Sequence, residues 1–107
     1  MSDRRILDII EELEQTRKRR MMFVGSNSSS ELMSYLMGFQ NACTLFGLPL
    51  PYKWRLQAVE ERGWSPSAEA WSVSEMRERG LADEAIADEI LAIDIAAWRR
   101  MAQAGAV

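Results

Sequence analysis

Apolar positions recur at spacings of three and four along most of the chain, the signature of helices lying on a core. In the first segment Ile6, Ile9, Ile10 and Leu13 form such a stripe, while Glu11, Glu12 and Glu14 fall on the side left to water. The spacing predicts a helix from Asp3 to about Arg20, with Ser2 able to cap it and Asp3 beside the positive end of its dipole. A second stripe, Leu32, Tyr35, Leu36, Phe39, Cys43 and Phe46, predicts a helix starting near Ser29 and lying at the centre of the core. Ser28 and Glu31 have the spacing of a capping box at its start, and Gly47 is placed to end it in the left-handed conformation. Pro49 and Pro51 then break the pattern, because each lacks an N–H donor and biases the residue before it toward extended geometry. Beyond them, Tyr52 to Arg62, Pro66 to Arg79 and Asp83 to Gln103 read as three further helices, Pro66 suiting a first helical position.

Between the first two helices stands Met21-Met22-Phe23-Val24-Gly25, apolar and without charge interruptions, followed by Ser26-Asn27-Ser28-Ser29-Ser30. Serine and asparagine side chains compete with helical hydrogen bonding, so the reading is a short extended segment near residues 21–25 and then a turn. Gly25 permits that turn, Phe23 and Met22 pin the crossing, and Gly38 lets another backbone approach the second helix. The expected fold is therefore all-α, a compact bundle of five helices forming one domain over residues 1–107.

The third and fourth helices resemble each other when offset by 17 residues. Trp54 aligns with Trp71, Leu56 with Val73, Val59 with Met76, and Glu61-Arg62-Gly63-Trp64 with Glu78-Arg79-Gly80-Leu81. A glycine followed by a large apolar residue is the pattern of a Schellman cap, so two similar helix ends are expected. Two copies are too few for a solenoid.

Composition narrows the chemistry. The chain has no histidine, which removes the commonest general base and the commonest transition-metal ligand. Its single cysteine, Cys43, has apolar neighbours and reads as a core thiol. A net charge of −3 argues against nucleic-acid binding. There is no apolar run of spanning length and no charged-then-apolar leader, so a cytoplasmic protein without membrane contact is expected.

The one basic run, Arg17-Lys18-Arg19-Arg20, suits the negative end of a helix dipole, or a grip on phosphates or an acidic partner. Residues 76–87 have the outline of a helix-turn-helix, but the second helix would offer Ile86, Asp88, Glu89, Ile90 and Asp94 to the groove in place of basic side chains. Carboxylates at Glu11, Glu12 and Glu14, and at Glu84, Asp88, Glu89 and Asp94, raise a helical magnesium site for nucleotide hydrolysis. The E-E-x-x-E and E-x-x-D spacings of such helical pyrophosphohydrolases are not met, since Gln15 fills one position and Glu84 to Asp88 is one residue too long. Surface acids are the better account, and neither metal nor cofactor is expected.

The stretch Arg17 to Ser26, followed by Leu32, Leu36, Gly38 and Phe39, resembles a pattern in small bacterial proteins of uncharacterised role: R-x-R-P-x-M-Y-[IV]-G, a serine-containing turn, then L-x3-[LI]-x-G-[YF]. This chain carries Arg20 in place of the proline and Phe23 in place of the tyrosine. Some such proteins are immunity-like partners of secreted toxins and others are carried on mobile gene cassettes, so the resemblance implies binding in place of catalysis. Four tryptophans and seven methionines are many for this length and suit an interface. The expectation is a non-enzymatic protein-binding domain that uses an acidic, Trp- and Met-bearing helical surface to dock a protein partner, such as a basic toxin, with self-association as a further option. Its candidate surface comprises Arg17, Lys18, Arg19, Arg20, Met21, Met22 and Phe23, together with Trp64, Trp71 and Trp98.

Overall fold

The computed structural model describes residues 4–66 and 71–105. Among them are six helical segments and no strand: α1 (Arg4–Lys18), α2 (Arg20–Phe23), α3 (Ser29–Leu45), α4 (Tyr52–Glu61), α5 (Val73–Glu78) and α6 (Asp83–Gln103). The all-α expectation holds, with two local differences. The first concerns residues 21–25, which were expected to be extended; instead Arg20–Phe23 forms one helical turn, closed by Val24 N–H to Arg20 O and Gly25 N–H to Met21 O. Only the link at Arg19 leaves the helical region, at φ −135° and ψ 52°, so the first helix ends at Lys18 and restarts after a bend. The proposed caps Ser2 and Asp3 lie outside the described residues.

The second difference concerns the fourth expected helix. Pro66 is not helical, residues 67–70 lie outside the described set, and α5 begins only at Val73. Ser72 sits in the left-handed region at φ 55°, which helical propagation does not tolerate, while its hydroxyl donates to Ser65 O at 2.8 Å. The helix ends agree with the repeat. Trp64 N–H bonds to Val59 O and Gly63 N–H to Glu60 O, and Leu81 N–H to Met76 O and Gly80 N–H to Arg77 O follow the same pattern. Both are Schellman caps, with Gly63 and Gly80 at φ 89° and 86°.

The core is organised around α6 and not, as the stripes predicted, around α3. From Ile90 to Trp98 every α6 residue except the half-buried Ala96 is buried, including Leu91, Ile93 and Ile95. A helix apolar on all sides has no face to give to water and must be surrounded. α1 packs along it antiparallel, with Arg17 paired to Asp88 near one end and Glu14 to Arg99 toward the other. Ile6, Ile9, Ile10, Leu13 and Thr16 form the buried side of α1. α3 buries Ser29, Leu32, Leu36 and Cys43 and half-buries Tyr35 and Phe39, whose rings stack at 6.3 Å. Its start is tied to the start of α6, where Asp83 accepts from the Ser29 N–H at 3.0 Å and from the Ser29 hydroxyl at 2.5 Å. Ser28 accepts from the Glu31 N–H as a capping box requires, while the Ser28 N–H is taken by Ser26 Oγ.

One ion pair interrupts the apolar interior. Asp94, in the middle of α6, accepts from Arg55 Nε of α4 at 3.1 Å and from Trp71 Nε1 at 2.7 Å. The Arg55 guanidinium also lies 5.2 Å from the centroid of the Trp71 ring and 5.6 Å from that of Tyr52. Burial pushes the Asp94 carboxyl above its usual value, against the pull of the Arg55 charge and the Trp71 N–H. Truncating one partner of such a pair leaves an uncompensated charge in the interior. Arg55→Met is therefore expected to destabilise the fold by about 3–5 kcal/mol at pH 7 in urea denaturation. Arg55→Met combined with Asp94→Asn should recover a large part of that loss, because the amide oxygen still accepts from Trp71 without needing a cation; no recovery would refute the pairing.

Candidate interaction surfaces

The sequence-predicted surface divides sharply when placed on the fold. Trp64, Trp71 and Trp98 are buried and belong to the core, so they are corrected from surface to interior. Each is held there: Trp98 among the apolar side chains of the core, Trp71 by its bond to Asp94, and Trp64 by donating Nε1 to Glu89 at 2.7 Å. Arg79 lies over the outer face of Trp64, its guanidinium 4.8 Å from the ring centroid. Tryptophan's large area outweighs its polar N–H once a buried carboxylate accepts it.

Arg17 to Met21 are brought together. In an unbroken helix four consecutive side chains would point about 100° apart around the axis. The bend at Arg19 changes this, and Arg17, Lys18, Arg19 and Arg20 all line one open cleft of about 490 Å³, closed on its other side by Glu84, Ala85 and Asp88 at the start of α6. Thr16 contributes to the bend by donating its hydroxyl back to Glu12 O at 2.8 Å, a bond that flexes helices. The four cations are not equivalent. Arg17 grips Asp88 through two bonds of 2.9 Å. Among the described residues Lys18 and Arg19 are exposed with no ion pair, and Arg20 Nε is shielded from solvent without a hydrogen-bond partner. An unmet donor of this kind costs about 1–3 kcal/mol. Met21 and Met22 project beside the cleft, 58% and 75% exposed, whereas Phe23 is half-buried.

A second surface was not anticipated. At the end of α3, Leu45 is 85% and Phe46 75% exposed, and Met37, a little over two turns earlier, is 60% exposed. Phe46, expected in the core stripe, lies outside it, since the buried apolar side of α3 is the arc of Leu32, Leu36 and Cys43 with Tyr35 and Phe39 half-buried beside it. Ser34, Gly38 and Ala42 occupy the outward side of the same helix, also exposed. A Cβ built on Gly38 meets nothing within 4 Å, so among the described residues no other backbone approaches there. The signal was present in the sequence: from Leu32 to Tyr52 the chain has no charged residue at all. A helix that faced water on its outer side would ordinarily carry charges there.

The acidic clusters are used differently. Glu14, Asp88, Glu89 and Asp94 are engaged by Arg99, Arg17, Arg62 and Arg55 respectively. Among the described residues no group of three His, Cys, Asp or Glu side chains is placed to hold a metal ion. No helix of the described residues is long and apolar enough to cross a membrane. Cys43 is buried, and burial pushes its thiol above the usual value. Comparison of the chain with protein families, with curated proteins and with solved structures finds no match.

The Arg17–Asp88 pair makes the cleft's electrostatics testable. The two hydrogen bonds from Arg17 hold the Asp88 carboxyl below its ordinary value, aided by the charges of Arg17, Arg20 and Arg62. A carboxyl depressed in the folded state adds stability above the unfolded value and loses it as the pH falls through the folded one. Asp88→Asn is thus expected to lower stability at pH 7 by at most about 1 kcal/mol, as suits a half-exposed pair. The difference from wild type should close as the pH is lowered beneath about 4. Denaturation curves for both proteins at neutral and acid pH decide it, a gap of constant size showing that Asp88 carries no linkage.

Proposed function

We propose that the chain is a non-enzymatic protein-binding domain whose principal binding face is the outer side of α3. The observation that carries this reading is the exposed Leu45–Phe46 pair closing a helix that carries no charge from Leu32 onward. Apolar surface left in water costs roughly 25 cal/mol per Å², which an opposing surface would return. The partner face must itself be apolar and uncharged at its centre, since nothing on this side of α3 satisfies a buried charge. Aromatic and methionine side chains are the residues enriched at such centres, and Phe46 and Met37 supply them. An immunity-like role, in which this small domain masks a second protein, is one form of this binding, and self-association through the same face is its homotypic form. A cytoplasmic setting is in keeping with the free thiol of Cys43.

The alternative, a helical metal-dependent nucleotide hydrolase, has less behind it. Four of the carboxylates it would draw on are already paired with arginines, and a magnesium site needs carboxylates free to turn toward the ion.

The test uses the full chain as bait in extracts of its native source. Leu45→Asp with Phe46→Ser should change stability by no more than about 0.5 kcal/mol, because both side chains are mostly in water. The wild-type bait is expected to retain a specific partner, or to form dimers in sedimentation, and the double variant to lose that species. Equal retention by both baits, or a monomeric wild type that retains nothing, would overturn the assignment.

A further inference from the structure

The bend at Arg19 creates a second recognition surface, separate from α3. We propose that the Lys18–Met22 corner docks an acidic segment of a partner protein, one in which carboxylates stand beside apolar side chains. Three observations converge on this chemistry. The cleft gathers four cations against two carboxylates, and one of those carboxylates, Asp88, is consumed by Arg17. That leaves Lys18 and Arg19 uncommitted and Arg20 acting on Asp88 through charge alone, in a concave site where charge acts on a ligand from several sides. Beside them stand the exposed methionines 21 and 22, unbranched and polarizable side chains that adapt to varied apolar groups.

The mixture selects among anions. Nucleic acid would find no aromatic ring in the cleft on which to stack a base, and its regularly spaced phosphates could not all keep clear of Glu84. A peptide can place its carboxylates against Lys18 and Arg19, keep clear of Glu84, and lay an apolar side chain on Met21 and Met22. Arginine and methionine are among the residue types enriched at protein interfaces. The site's position also suits the role: the pairing of Arg17 with Asp88 fastens the end of α1 to α6, so the uncommitted cations are presented from a fixed base.

The experiment measures fluorescence anisotropy of a labelled soluble peptide of Glu-Glu-Leu repeats titrated with the full chain at low ionic strength. Saturable binding is expected, weakened about tenfold when glutamine replaces glutamate in the peptide and falling steeply with added salt. Lys18→Glu with Arg19→Glu should lose about tenfold or more, while circular dichroism stays native because neither side chain is paired in the fold. Met22→Ser, which leaves every charge in place, should lose affinity for the Glu-Glu-Leu peptide but not for polyglutamate. A single-stranded oligonucleotide and phosphatidylserine vesicles form the competing arms. Absence of saturable peptide binding, binding undisturbed by the charge reversal, or tighter binding to the oligonucleotide or the vesicles would each overturn the proposal.

Discussion

A carboxylate held at the centre of an otherwise apolar helix constrains how everything else in this fold can pack. α6 is buried almost all round, so its neighbours must cover it completely, and Asp94 must be met wherever it falls. Arg55 from α4 and Trp71 from the segment before α5 meet it. Such a pair adds little net stability against an apolar alternative, since desolvation offsets most of the attraction. Its effect lies in register. Sliding α4 by one turn would leave a buried anion without its cation, whereas sliding one leucine past another costs far less. The same logic repeats toward the surface, where Glu89 takes both Arg62 and the Trp64 N–H just after the Schellman cap of α4.

Placing α6 at the centre has a consequence for α3. The two helices have comparable apolar content in sequence, but only one can be surrounded in a chain of this size. α1 and α4 flank α6 and bury its sides, and α3 joins through a single arc whose start is fastened by the Ser29–Asp83 bonds. The remainder of its apolar residues is left outward. Leu45 and Phe46 therefore follow from the fold's own geometry, and their exposure is the residue of a competition for the interior that α6 wins with its isoleucines and small alanines.

Much of this was legible in the chain. The stripe of α1, the proline break, the capping serine at Ser28 and the paired Schellman ends all rest on local chemistry, where the residues that decide the conformation are neighbours in sequence. What escaped was set by distant partners. Trp64 and Trp71 read equally well as interface residues until a carboxylate two helices away claims each indole N–H. The turn at Arg20–Phe23 read as extended because the serine-rich stretch after it argues against helix, yet Gly25 at φ 80° confines that effect to the residues beyond it. The centrality of α6 over α3 could not come from periodicity, since an apolar stripe reports that a face is covered and not how many neighbours cover it. The missing charges between Leu32 and Tyr52 were the available clue to an outward apolar face.

The basic run shows how one cluster of like residues serves two ends. Had α1 continued straight through Arg20, each cation would have pointed in its own direction and the dipole at the helix end would have been their common partner. Breaking the helix at Arg19 converts sequence adjacency into spatial convergence. Arg17 is then spent on Asp88, and that expenditure is what permits Lys18 and Arg19 to remain uncommitted, because the helix end no longer depends on them to stay docked. Under the proposed docking of an acidic segment, attraction needs charges that the fold itself does not require, and the division between Arg17 and its neighbours supplies them.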